Sequence, residues 1–160
     1  MPLRSPDSVR AERTGWRCQE ISERHRQWGY NCPAVDLDFV VVEYNHSKPV
    51  CIVEYKEEHA KVDNLSHPTY LALIELADNQ KEPIPCFIAT YNSDKWWFRV
   101  TPLNNSAKEY YKHVLGIAIT EQRFVRSLFL MRKKNLELSD NSAIGKLNNT
   151  LPAEEVGNLR

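Results

Sequence analysis

The stretch that decides the fold is AVDLDFVVVEY (34–44), NHSK (45–48) and PVCIVEYK (49–56). Both outer runs are dense in β-branched and aromatic residues, which suit a pleated, half-buried surface. The tetrapeptide between them has turn chemistry, so the whole reads as a β-hairpin. Three ionisable residues interrupt its apolar runs: Asp38 near the start of the first strand, and Glu54 and Lys56 near the end of the second. Side chains alternate along a strand, so Glu54 and Lys56 share a face. Asp38 joins them only if residue 54 or 56 lies opposite it. A three-residue turn centred on His46 or on Ser47 gives those two registers, whereas a one-residue slip turns Asp38 to the other face. Asp36 shares the strand face of Asp38 and competes for its role; Asp38, deeper in the strand, is preferred.

Working outward, residues 8–28 carry Cys18, Ile21, His25 and Trp28 at helical spacing, with Asp7 or Ser8 as the cap and Gly29 as the stop. After the hairpin, Pro68 opens a helix whose apolar face is Tyr70, Leu73, Ile74 and Ala77, ending before Pro83. Residues 84–91 and 95–100 read as two further strands around the turn NSD, with Trp96 and Trp97 pointing to opposite faces. Helical segments follow at 106–115 and 121–134. From Leu136 the chain becomes polar and Asn-rich. The expectation is therefore an α/β domain over 1–135, a mixed sheet of four to five strands flanked by helices, with a loosely attached tail over 136–160.

A chain of 160 residues fits one domain and buries a sizeable core unaided. Lys plus Arg equals Asp plus Glu, 21 each, so a nucleic-acid partner has to be argued from local patches. Two such patches stand out: Arg10, Arg13, Arg17, Arg24 and Arg26 in the first helix, and Arg123, Arg126, Arg132, Lys133 and Lys134 near the C-terminus. A solvated helix face is the ordinary explanation for any one of them. No apolar run is long enough for a membrane helix, and the start MPLRSPDSVRAER lacks the apolar middle of a secretion signal. Cys18, Cys32, Cys51 and Cys86 show no metal-binding spacing and read as reduced core thiols. Together these favour a cytoplasmic protein without membrane contact.

Two carboxylates side by side repel unless a cation or proton sits between them. Hard oxygen donors from Asp38 and Glu54, with the Tyr55 carbonyl as a third, suit Mg²⁺ or Mn²⁺. Lys56 beside them is placed to orient or deprotonate water, or to stabilise charge developing on a phosphate. The bland alternative is a solvated strand face of cross-strand salt bridges. Charges at the rim of an otherwise buried hairpin weigh against it. His59 and His67 follow within a dozen residues and read first as loop residues.

The pattern PAVDLDFVVVEY–NHSK–PVCIVEYK resembles the PD-(D/E)xK nucleases, the restriction endonuclease-like fold shared by many junction resolvases and phage exonucleases. The order helix, hairpin, helix, strand over roughly residues 8–101 is similar to their core, given a further short strand near 29–32. The resemblance implies that Asp38 is the motif's first Asp, and that Glu54 and Lys56 are its ExK. It also implies an acidic residue from the first helix, Glu20 or Glu23, and a Mg²⁺-dependent (or Mn²⁺-dependent) nuclease acting on DNA, less readily on RNA, with a homodimer by analogy. The literal Pro-Asp pair is missing, since Pro33 precedes Asp36 by three residues. The alternative is a nuclease-like module that grips nucleic acid or protein without cutting.

Overall fold

The computed structural model describes residues 37–62 and 64–150, together with Arg24 and Gln27, which are helical and exposed. Of 138–150 only the backbone is described. The expected first helix otherwise, the strand near 29–32, and Glu20, Glu23 and Asp36 lie outside these residues, as do His25 and Trp28.

The chain forms β1 (Phe39–Glu43), β2 (Lys48–Glu57), α1 (Pro68–Asp78), β3 (Cys86–Asn92), β4 (Trp97–Pro102), α2 (Asn105–Tyr111), β5 (Ile119–Thr120) and α3 (Glu121–Thr150). The strands make one open mixed sheet in the order β1-β2-β3-β4-β5. Only β2 and β3 are parallel, joined by the α1 crossover; the other neighbours are antiparallel. This is the α/β class that the strand and helix patterning predicts. The short β5 is an addition that its two residues were too few to announce.

Period-two alternation splits the sheet into two faces. Cys51, Val53, Phe87, Ala89, Phe98 and Val100 point to the α2 and α3 side, where they pack with Ala107, Tyr111, Phe124 and Met131. Phe98 and Phe124 stack with centroids 4.3 Å apart. On the other face, Ile52 and Cys86 meet Leu73 and Ala77 of α1 in a smaller core. Burial pushes the Cys51 and Cys86 thiols up to about 12, so both are inert core thiols.

Three local readings change. The hairpin turn has four residues, 44–47, between the pairs Glu43↔Lys48 and Val42↔Pro49. Left alone, that register would set Asp38 on the wrong face. A β-bulge follows: Val42 pairs with Pro49 and Val41 with Cys51, so Val50 is the extra residue. The bulge restores Phe39↔Val53 and puts Val50 in the α3-side core beside Cys51. Trp96 lies in the β3–β4 turn at φ +48°, not in the strand, and stacks on Tyr91 with centroids 6.2 Å apart. Finally, α3 continues as helix to Thr150, so the boundary drawn at 135 by composition falls inside one continuous helix.

Asn104 ties three elements together. Its Oδ1 accepts from Ala107 N, capping α2, and from Cys86 N at the start of β3, each at 3.0 Å. Its Nδ2 donates to Asp78 Oδ1 at the end of α1 and to the Ile84 carbonyl. Truncation strands a buried N–H and a carbonyl as well as removing a cap. Asn104→Ala should therefore cost about 3 kcal/mol, read as a lower urea midpoint with an unchanged m-value.

Glu43, at the end of β1, has no exposed surface. Burial pushes its carboxyl up. The backbone N–H groups of His46 (2.9 Å from Oε2) and Asn45, with the charges of His46 and Arg132, outweigh that and hold it below 4.5. Arg132 of α3 lies 3.7 Å from Oε1. A depressed carboxyl contributes stability that is present above its unfolded value and is lost as pH falls through its folded value. Glu43→Gln should flatten the fall in stability below about pH 4.5, with little further change near neutrality in how stability depends on pH, as measured by urea unfolding across that range.

Candidate functional site

Glu54 and Lys56 lie in the C-terminal half of β2, on the α1 face. Continuing the β1–β2 register one residue outward from Phe39↔Val53 sets Asp38 opposite Glu54. The Asp38 carboxylate accepts the Tyr55 N–H at 3.0 Å, which fixes it against the β2 backbone while leaving it exposed. Glu54 is only 8 % exposed. Its Oε1 is bound by Lys56 Nζ at 2.7 Å. Its Oε2 is buried and has no hydrogen-bond partner. The bond to Glu54 holds the Lys56 ammonium above its usual value, against partial burial, with Tyr70 of α1 and Asp38 adding smaller pulls the same way.

Asp38, Glu54 and Lys56 thus stand on neighbouring positions of the hairpin, as the sequence motif requires. The Tyr55 side chain turns the opposite way, into an aromatic cluster with Phe39, Tyr91 and Phe124. Burial raises its phenol to about 12, with Cys51 and Asp38 adding to the rise.

Asp38 and Glu54 are the carboxylates here that could hold a cation. A buried carboxylate oxygen without a donor is a costly arrangement, and it lies on the strand position facing a second carboxylate.

Neighbouring residues sort themselves out differently. His67 is the N-cap of α1: its Nδ1 accepts from Thr69 N at 3.4 Å, which gives it a structural role. Glu57, Glu58 and His59 form a cluster whose ligating atoms lie within 4.8 Å of one another. Each is already engaged at the strand end: Glu57 Oε2 accepts from His59 N, and Glu58 Oε1 binds Asn92 Nδ2 and lies 3.4 Å from His59 Nε2. The EEH run was visible in the sequence; its tie to Asn92, thirty-four residues on, was not.

The basic C-terminal segment lies behind the sheet. It belongs to α3, which packs on the face of Val53 and Tyr55, opposite Glu54 and Lys56. Arg132 turns to Glu43 and Lys133 to Glu137. Among the described residues, no helix is long and apolar enough to cross a membrane.

No family model matches the chain, and neither a curated protein nor a solved structure matches it.

If the two carboxylates take up a divalent cation, millimolar Mn²⁺ or Mg²⁺ should raise the melting temperature by roughly 2–8 °C. Asp38→Asn and Glu54→Gln should each erase most of the rise. Calorimetry of the folded protein showing no shift with either ion would rule the metal site out.

Proposed function

We propose that the chain is a Mg²⁺- or Mn²⁺-dependent nuclease that hydrolyses phosphodiester bonds in DNA. One observation carries the reading: the buried, unpartnered Glu54 Oε2 on the strand position facing Asp38, with Lys56 bound to the other oxygen of Glu54. The order of hairpin, crossover helix and parallel strand supports it, being the arrangement that the resemblance to PD-(D/E)xK nucleases implies. So does the location. Ligands in α/β sheets gather outside the carboxyl ends of parallel strands, and Glu54 and Lys56 approach that end of β2.

In this reading Asp38 and Glu54 hold the cation, with the Tyr55 backbone as a further oxygen source. When bound, the ion would supply Lewis acidity toward a phosphate oxygen. Lys56 is a firmly protonated ammonium. Its contribution is to place positive charge beside the phosphorus as water's oxygen bonds to it and one bridging P–O bond breaks. Proton abstraction by Lys56 is disfavoured by the same Glu54 contact that keeps it charged. The Tyr55 N–H holds the Asp38 carboxylate in place, so the metal face is preorganised by backbone.

The test is cleavage of single-stranded, duplex and branched DNA in Mg²⁺, Mn²⁺ or EDTA. Asp38→Asn and Lys56→Ala should each lower the rate by about 10²–10³ in a protein that stays folded, with Lys56→Ala melting lower because it leaves the buried Glu54 carboxylate without its partner. EDTA should abolish activity. Cleavage that continues at the parent rate in both variants would place the chemistry elsewhere.

A further inference from the structure

Resting on the nuclease reading above, we propose that Arg99, held on the ring of Trp97, is a second phosphate-binding point, so that the substrate is a polynucleotide strand lying across β2, β3 and β4.

The register places it. Lys56 pairs with Thr90 across β2–β3, and Thr90 pairs with Arg99 across β3–β4. Residues directly opposite each other share a face, so Lys56, Thr90 and Arg99 form one row on the side of Glu54. The row lies near the carboxyl ends of the two parallel strands. With neighbouring strands about 4.8 Å apart, the two cations are rooted roughly 10 Å from each other. A phosphate at Lys56 therefore leaves Arg99 to meet another part of the same strand.

Arg99 has the character of a docking residue. It is exposed, and among the described residues it makes no ion pair or hydrogen bond. Its guanidinium instead lies over the half-buried Trp97 ring, 5.3 Å from the centroid. That contact steadies the planar fork while its N–H groups stay free for a phosphate. Among the described residues, α1 packs on β2 and β3 and does not reach β4.

The same placement explains why the richer basic cluster does not serve. Arg123 and Arg126 belong to α3, on the other side of the sheet from Glu54. A strand held at Lys56 meets Arg99 first.

The test is binding of fluorescein-labelled oligodeoxythymidine and of a labelled duplex, across a salt series, in EDTA so that no cutting occurs. Arg99→Gln should weaken binding roughly tenfold at low salt. It should also reduce the slope of log K against log salt by about 0.7 for the single strand or 0.9 for the duplex. Its melting temperature and its stabilisation by Mn²⁺ should match the parent's. Arg99→Lys should recover part of the affinity, since it keeps the charge and loses the fork. Trp97→Leu, which leaves the charge and removes its platform, should weaken binding several-fold, and it decides the matter if Arg99→Gln fails to fold. Unchanged affinity and slope in Arg99→Gln, with a parent that binds and cuts, would overturn the second phosphate point and leave the nuclease reading standing. A parent that neither binds DNA nor responds to Mn²⁺ would overturn both.

Discussion

Everything chemical in this molecule depends on one register. The four-residue turn of the hairpin brings β2 back one residue out of step for the motif, and the bulge at Val50 corrects it. The correction has local causes. Pro49 has no N–H to give to the ladder opposite Val42, so regular pairing is already weakened there. Val50 then gains by turning into the α3-side core, where it is fully buried. The turn itself is held by Glu43, whose buried carboxylate accepts the His46 N–H and faces Arg132. Turn, bulge and helix α3 thus fix which face Asp38 takes, although α3 begins more than eighty residues later in the sequence.

The sheet divides its labour between faces. One is closed by α2 and α3 over a continuous aromatic and aliphatic core. On the other, among the described residues, α1 packs over Ile52 of β2 and Cys86 of β3. Beyond the rim of α1, β2 changes from Ile52 to Glu54 and Lys56, and β3 from Ile88 to Thr90 and Asn92. Burial is therefore graded along a single strand. Glu54 sits at the grade, shielded enough for one oxygen to lose water and near enough to the surface to pair with Lys56. A carboxylate kept in that state without a second donor works against stability; Glu43 Oε1 at the turn shares the condition, with Arg132 3.7 Å away.

How much of this the sequence disclosed follows from the range of each signal. The strands, the α1 helix and its buried Tyr70, Leu73 and Ala77 were legible because periodic burial writes itself into periodic residues. The site residues were legible for the converse reason, as charges breaking an apolar run. The bulge was not, because a four-residue turn plus one inserted residue gives the same final register as a three-residue turn. Trp96 looked like strand because its left-handed backbone, with φ +48°, leaves no mark in composition. Residues 136–150 looked like tail because they lack an apolar stripe. A helix already propagating from Phe124 and Met131 continues at little cost once it is nucleated. Asn104 was invisible in its main role: besides Ala107, its partners Asp78, Ile84 and Cys86 lie 18 to 26 residues earlier in the chain.

Charge shows the limit most clearly. In one dimension the cations that stand out are those crowded on α3, because proximity along the chain is all that a sequence displays. In three dimensions a phosphate senses what lies within about a Debye length on its own side of the protein. The sheet and its aromatic core separate α3 from Glu54, whereas strand pairing carries Lys56, Thr90 and Arg99 into one row from three strands. A neutral protein needs no basic composition to hold an anionic strand if a few of its cations share one face of the sheet. For the proposed nucleic-acid strand, the sheet register rather than the charge count sets which cations it would meet.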